Sequence, residues 1–418
     1  MTAHFILSLV LLLLLSVHSE ALSPPERRRP QFQTEPGYYI IPTPYRLPGI
    51  GQGFALIGAA TNVSESYADF YGFALTGGLS GFGAAVADIH LIPEKLILDL
   101  NGEMLSRASV TSYSQRGMRS DKDDFTRLDL GDIDFFGARL TSTFFDRRFE
   151  IYGGGYGSGQ RLEKIKDNNG AVILEADNPE TARSQVFVIG TRVDLTDDYA
   201  DPRKGFRLEA GPWWSPPRSS GAPDYYRMDY NATAYTPIGR RSAWAFNYFR
   251  SDAHVVRKGE TDPAVLEQEQ GLDCGAIADP NQQRLCLQVI DNMIAANRLG
   301  TASGLGGRNR LRSYPEDRYS GAHTVFYGTE FRWNLTEEFT PFNIFIMKDV
   351  RTALQAAFFY EIGSVAESLS ALGETLRSSY GAGFRMVTAS GIVFRADVAT
   401  GHEGVETTII IGYPWESF

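Results

Sequence analysis

The stretch His323-Thr324-Val325-Phe326-Tyr327-Gly328-Thr329-Glu330-Phe331-Arg332-Trp333-Asn334-Leu335 decides the fold. One face reads His323, Val325, Tyr327, Thr329, Phe331, Trp333 and Leu335; the other reads Thr324, Phe326, Gly328, Glu330, Arg332 and Asn334. Successive side chains of a strand point to opposite faces, so this is a strand with an aromatic face and a polar one. The pattern returns at 352–362, where Leu354, Ala356, Phe358, Tyr360 and Ile362 oppose Gln355 and Glu361. It returns again at 392–398, with Ile392, Phe394, Ala396 and Val398 opposite Arg395 and Asp397. Aromatics outward and opposite charges inward suit a wall with lipid on one side and water on the other. An unpaired Arg facing lipid at midplane would cost roughly 2–4 kcal/mol, so these charges are expected to face a lumen.

Composition agrees. The 418 residues carry a formal charge of −10, and 26 Phe and 20 Tyr beside 7 Met make a β-leaning inventory. No basic stripe accompanies the acidic balance, which excludes a nucleic-acid partner. The apolar run Phe5 to Val17 is too short to span ~30 Å of hydrocarbon. Small residues at Ser19 and Ala21 follow it, so residues 1–21 read as a secretory signal peptide. No other apolar run is long enough for a spanning helix.

Residues 22–48 are charged and proline-rich, and read as a linker or plug segment; residues 49–418 read as the barrel. Candidate strands are Phe54–Val63, Asp69–Gly77, Phe82–Ile92, Leu96–Tyr113, Phe135–Thr143, Phe149–Leu162, Gln185–Leu195 and Phe206–Trp214. They continue with Tyr226–Thr236, Ala243–Val256, His323–Leu335, Arg351–Val365, Ser379–Thr388, Ile392–Thr400 and Val405–Trp415. Single-chain bacterial barrels use even numbers, so an all-β transmembrane antiparallel barrel of sixteen strands is expected, the missing one lying in 114–132. Connections at 93–95, 145–148, 239–242 and 390–391 are tight, while 114–132, 163–183 and 215–224 are long and polar. Short turns on one rim and long loops on the other is the outer-membrane pattern.

The longest connection, 257–320, is a lumenal or extracellular loop containing Cys274 and Cys286 and a helix-compatible run from Leu285 to Leu299. In an oxidising compartment the two cysteines are expected to form a local disulfide, since CxxC metal or redox spacing is absent. The insertion reads equally as a small cap over the pore or as a surface loop.

Four motifs then fall in one order. Gly304-Leu305-Gly306-Gly307-Arg308-Asn309-Arg310-Leu311-Arg312-Ser313-Tyr314 resembles the signature loop of the BamA-like outer-membrane assembly superfamily. That superfamily includes TamA, the two-partner secretion transporters and the bacterial surface antigens. Asp201 to Gly205 resembles its turn before a mid-barrel strand. Gly381 to Arg385 with Gly391 to Ala399 is similar to its penultimate hairpin, and Ile411 to Phe418 to its aromatic-terminated closing strand. The likeness covers roughly residues 190–418.

The resemblance implies a loop folded into the lumen, with Arg312 as its arginine and Gly306, Gly307, Leu311, Ser313 and Tyr314 around it. Glu330 and Glu361 are the implied partners. The family usually has Asp where Glu361 stands and Gly where Ser313 stands, so the tight turn of the loop is expected to differ. The residues support a clamp independently: two carboxylates on the polar faces of successive strands need a cation, and a guanidinium fork supplies one. Arg332, Arg385, Arg395 and Asp397 are expected to form a structural ladder of lumenal charges. Gly412 and Pro414 would weaken the seam between first and last strands, because proline has no N–H to donate. Family members carry periplasmic POTRA domains; the interval before the first candidate strand is too short for one, so a POTRA-less member is expected.

No nucleophile elbow sits on a strand-to-helix turn, and Gly153 to Gly159 lies inside a strand. The histidines lack metal-ligand spacing. The chain is therefore read as no enzyme, with no cofactor and no metal. The expected function is insertion or translocation of protein or lipid at the bacterial outer membrane. Its partners would be outer-membrane lipid and periplasmic or outer-membrane assembly proteins. The alternative is a passive channel or structural barrel constricted by the loop.

Overall fold

The structure, a computed structural model, describes residues 24–32, 36–113, 115–175, 181–217, 221–336, 341–344, 347–388 and 393–415. The signal-peptide expectation and Phe418 lie outside them. The strands are β1 (Gly37–Leu47), β2 (Gly51–Thr61), β3 (Asp69–Gly77), β4 (Ser80–Ile92), β5 (Leu96–Tyr113) and β6 (Phe125–Phe144). Next come β7 (Phe149–Lys166), β8 (Val172–Glu175), β9 (Thr181–Thr196), β10 (Gly205–Ser215), β11 (Asp224–Ile238) and β12 (Ser242–Arg257). The rest are β13 (His323–Asn334), β14 (Pro341–Ile344), β15 (Met347–Ala366), β16 (Arg377–Thr388), β17 (Val393–Gly401) and β18 (Gly404–Ile411).

Strands β8 and β14 are short arms on β7 and β15. The other sixteen pair antiparallel in chain order, and β1 joins both β2 and β18, which closes the wall. Alternation sets which side chains face in. In β13, Thr324, Phe326, Glu330 and Arg332 are buried, while Tyr327 and Trp333 on the other face are exposed.

The sixteenth strand is not in 114–132. It is β1, inside the segment read from sequence as linker or plug. Pro42 and Pro44 hid it, since proline cannot donate to a ladder. Both are exposed and share one parity, so both remove a donor from the same edge. The ladder from β1 to β2 runs unbroken from Gly37↔Thr61 to Leu47↔Gly51, so that edge is the one facing β18. There the pairing is sparse: Arg46↔Ile409.

The last strand also ends early. β18 stops at Ile411, Gly412 takes φ +106°, and Tyr413 and Trp415 are buried. Gly412 and Pro414 therefore lie past the strand rather than in it, a correction to the predicted Val405–Trp415 strand. Leaving the wall lets two large aromatic side chains bury against the barrel's inner groups.

Residues 24–32 form a strap at the end with the tight turns. Arg27, Arg28 and Arg29 pair with Asp194, Asp197 and Asp198, within or next to the turn between β9 and β10. Phe32 packs edge-on against His90 at 5.1 Å. At the opposite end, the connection after β12 holds α1 (Pro263–Gln270) and α2 (Pro280–Leu299). Asp262 and Asp279 cap them, each followed by proline at the first helical position. Cys274 and Cys286 are bonded, with Cα atoms 5.5 Å apart. They cluster with Leu266 and Ile290 on Ile165 of β7.

Candidate functional site

Beyond α2 the chain forms a tongue. Leu305 bridges Tyr319, and the Gly307 N–H donates to the Tyr314 carbonyl at 2.8 Å. Gly306 sits at φ +117°, and a Cβ there would lie 2.1 Å from the Pro315 carbonyl oxygen, so no other residue fits. Leu311 holds φ +53°, the left-handed conformation, immediately before Arg312. Ser313, at the position where the resemblance leads one to expect glycine, holds no positive φ; its N–H donates to Ser379 Oγ at 3.0 Å.

Arg312 reaches three wall carboxylates. Its Nε donates to Glu361 Oε1 at 2.9 Å, and its Nη1 to Glu330 Oε2 at 3.0 Å and Asp397 Oδ2 at 2.8 Å. Its backbone N–H donates to Glu361 Oε2 at 2.9 Å. The guanidinium carbon lies 3.4 Å from the Phe359 ring centroid, a cation–π contact in a fully buried setting. Arg385 braces the same acids, donating to Glu330 Oε2 at 2.7 Å and Asp397 Oδ1 at 3.0 Å. Arg332 donates to Glu330 Oε1 at 2.8 Å. Arg395 stands off, its Nε 3.7 Å from Asp397 Oδ2. Four guanidiniums thus meet three carboxylates, leaving one positive charge in excess.

Removing one member of so buried a network would strand the rest, and charges without partners in low dielectric are costly. The arrangement can hold the tongue to the wall. Among the described residues no cluster of metal-ligand type occurs.

The tail enters the same network. Trp415 Nε1 donates to Glu361 Oε1 at 3.0 Å, and its carbonyl accepts from Asn231 Nδ2 at 2.8 Å. The indole lies against Gly328, where a Cβ would come within 2.7 Å of it. Tyr413 stacks under Arg332, 4.1 Å from ring centroid to guanidinium, and donates to Asp201 Oδ1 at 2.7 Å. Burial alone would raise the Asp201 carboxyl; Arg203 and Arg28, with hydrogen bonds from Tyr413 and Gln355, outweigh it and hold it at about 2. Sequence reasoning missed Asp397 as a direct Arg312 partner, Trp415 and the Arg27–Arg29 strap. For the strap a signal existed: a basic triplet and the acidic run Asp197, Asp198, Asp201 are complementary in charge.

A closed sixteen-stranded wall, aromatic outside and charged within, defines a barrel protein of the bacterial outer membrane. Residues 105–406 match the Omp85 superfamily domain, and the chain belongs to that superfamily. This bears out the resemblance read from the motifs. Members of the superfamily are transport and assembly barrels that work with outer-membrane assembly partners.

Among solved structures the chain is similar to CdiB from Escherichia coli, at 11% identity over 91% of this chain and 68% of that one, TM-score 0.50. BamA from Haemophilus ducreyi lacking POTRA domains 1–3 aligns at 12% identity over 90% of this chain and 70% of that one, TM-score 0.48. At 11% identity the likeness to CdiB is one of fold alone. No curated protein matches the chain.

Proposed function

We propose that this barrel helps to insert or translocate protein or lipid at the outer membrane, held shut by the Arg312 tongue and opening between β1 and β18. The observation that carries this reading is the sparse join at that seam. It pairs at Arg46↔Ile409, whereas the adjoining ladders run from Gly37 to Leu47 and from Phe394↔Ile411 to Gly401↔Gly404. A join with few hydrogen bonds separates at less cost than its neighbours. Outer-membrane lipid and periplasmic or outer-membrane assembly proteins are the partners this function calls for. The test is a cross-link: Arg46→Cys with Ile409→Cys, oxidised in cells. Loss of activity that a reductant restores supports the moving seam; full activity in the locked barrel sinks it.

A further inference from the structure

The inner face of the barrel is not uniformly polar. Across the seam from the charged network, β1, β2 and β3 turn Tyr39, Ile41, Ile57, Tyr71 and Phe73 inward, lining a cavity of about 980 Å³. A water-filled lumen would not need that apolar wall. Arg395 lines the same cavity from β17. Its Nη2 donates to the Arg308 carbonyl at 2.6 Å. Its Nε and Nη1 have no hydrogen-bond partner among the described residues, although the side chain is only 1% exposed. The buried Tyr39 hydroxyl, also in the lining, is likewise unpartnered among them. Buried donors without acceptors are rare and costly. Arg395 is the loosely held member of a network with one cation in excess.

The cavity also reaches the outside. Its lining includes Pro44, Phe384 and Ile411, which are exposed on the lipid-facing side. The register Arg46↔Ile409 puts the end of β18 beside Pro44, so among the described residues Gly37 to Thr43 of β1 have no strand on that edge. Across this interval β1 meets β17 through an aromatic pair, Tyr39 and Phe394, with ring centroids 5.9 Å apart. The interval lies at the end with the tight turns, the periplasmic end of an outer-membrane barrel. The Arg27–Arg29 strap covers that mouth and contributes Arg29 to the lining.

We propose that this cavity holds one anionic phospholipid of the periplasmic leaflet. Its phosphate sits on the Arg395 guanidinium and the Tyr39 hydroxyl, which supply the donors an anion needs. An acyl chain lies against Ile57, Tyr71 and Phe73, and the lipid enters from the bilayer past Pro44 and Ile411. The seam edge favours a lipid over a peptide: Pro42 and Pro44 remove the donors with which an added strand would pair. An acyl chain requires none. The site rests on the seam proposed above and names the substrate class for it.

The experiment uses the full barrel in phosphatidylcholine nanodiscs, titrated with spin-labelled phosphatidylglycerol and read as an immobilised component by electron paramagnetic resonance. Saturable binding is expected, weakened about tenfold by Arg395→Gln, the size of one charge-assisted hydrogen bond. Tyr39→Phe deletes a single oxygen, so it keeps the test meaningful if Arg395→Gln fails to fold, and it should weaken binding several-fold. Equal retention of labelled phosphatidylcholine, unchanged binding in both variants, or displacement by inorganic phosphate would overturn the proposal. Lipid held by a barrel whose locked seam leaves cellular activity intact keeps this site and removes the seam. A locked, inactive barrel whose unlocked parent holds no labelled lipid does the reverse.

Discussion

Trp415 and Arg312 share one acceptor: Glu361 Oε1 takes a hydrogen bond from the indole at 3.0 Å and from the guanidinium at 2.9 Å. The tail beyond the last strand and the tongue between β12 and β13 are therefore held by the same carboxylate. Loosening either one removes a donor that balances the charge seen by the other.

Arg312→Ala should be the most damaging single change in the tongue. It leaves Glu330, Glu361 and Asp397 buried with Arg332, Arg385 and a distant Arg395, and losing one partner of a buried ion pair costs roughly 3–5 kcal/mol. Denaturant unfolding in detergent measures the loss. In planar bilayers the wild type should conduct little and Arg312→Ala should open it. A large steady pore in the wild type would favour the passive-channel alternative.

The shared acceptor predicts non-additivity. Trp415→Phe deletes the donor, for about 1 kcal/mol, and also trims the buried indole to a phenyl ring, which adds a packing loss. Combined with Glu361→Gln, the double variant should depart from the sum of the singles by about 1 kcal/mol, as groups in one network do. Additive effects would mean the tail is held by packing alone.

Gly328→Val should expel the indole, because its Cβ would approach the Trp415 ring to 2.7 Å from a strand backbone that cannot yield. With five tryptophans in the chain, the change is best read as a difference against Trp415→Phe in intrinsic fluorescence. An unaltered Trp415 signal would place the ring elsewhere.

Acid should loosen the turn between β9 and β10. Asp201 is held at about 2, below the ~3.9 of an unfolded chain, so its contribution is present above pH ~4 and lost as pH falls through 2. The shift corresponds to about 2–3 kcal/mol. Stability measured from pH 5 downward should fall by that amount, and Asp201→Asn should flatten this part of the profile.

Period-two alternation was enough to read most of the wall, because lipid and lumen impose opposite demands on adjacent residues. It failed at β1, where Pro42 and Pro44 break the local rule and the unpaired edge excuses them. It failed again at the end of β18, since Tyr413 and Trp415 look like a continuing strand until their buried partners Asp201 and Glu361 are known. The grouping of Arg312 with Glu330 and Glu361 could be inferred from facing strands. Asp397 joining them could not, because it stands on β17, two strands along the wall from Glu361 on β15, and only the placement of the tongue brings Arg312 to it. The apolar lining of β1 to β3 was invisible for a related reason: Ile41 and Ile57 look alike whether they face hydrocarbon or a cavity.

The sparse pairing of β1 with β18 has a kinetic consequence. Every other wall pairing joins strands that are neighbours in sequence, but Arg46↔Ile409 brings together residues from the two ends of the chain. Closing so long a loop forfeits the most chain entropy and returns the fewest hydrogen bonds. Circularisation should therefore be the last event when this protein folds, and the one that lags when folding is slowed. An open, curled sheet with its first and last edges free would be the species to trap.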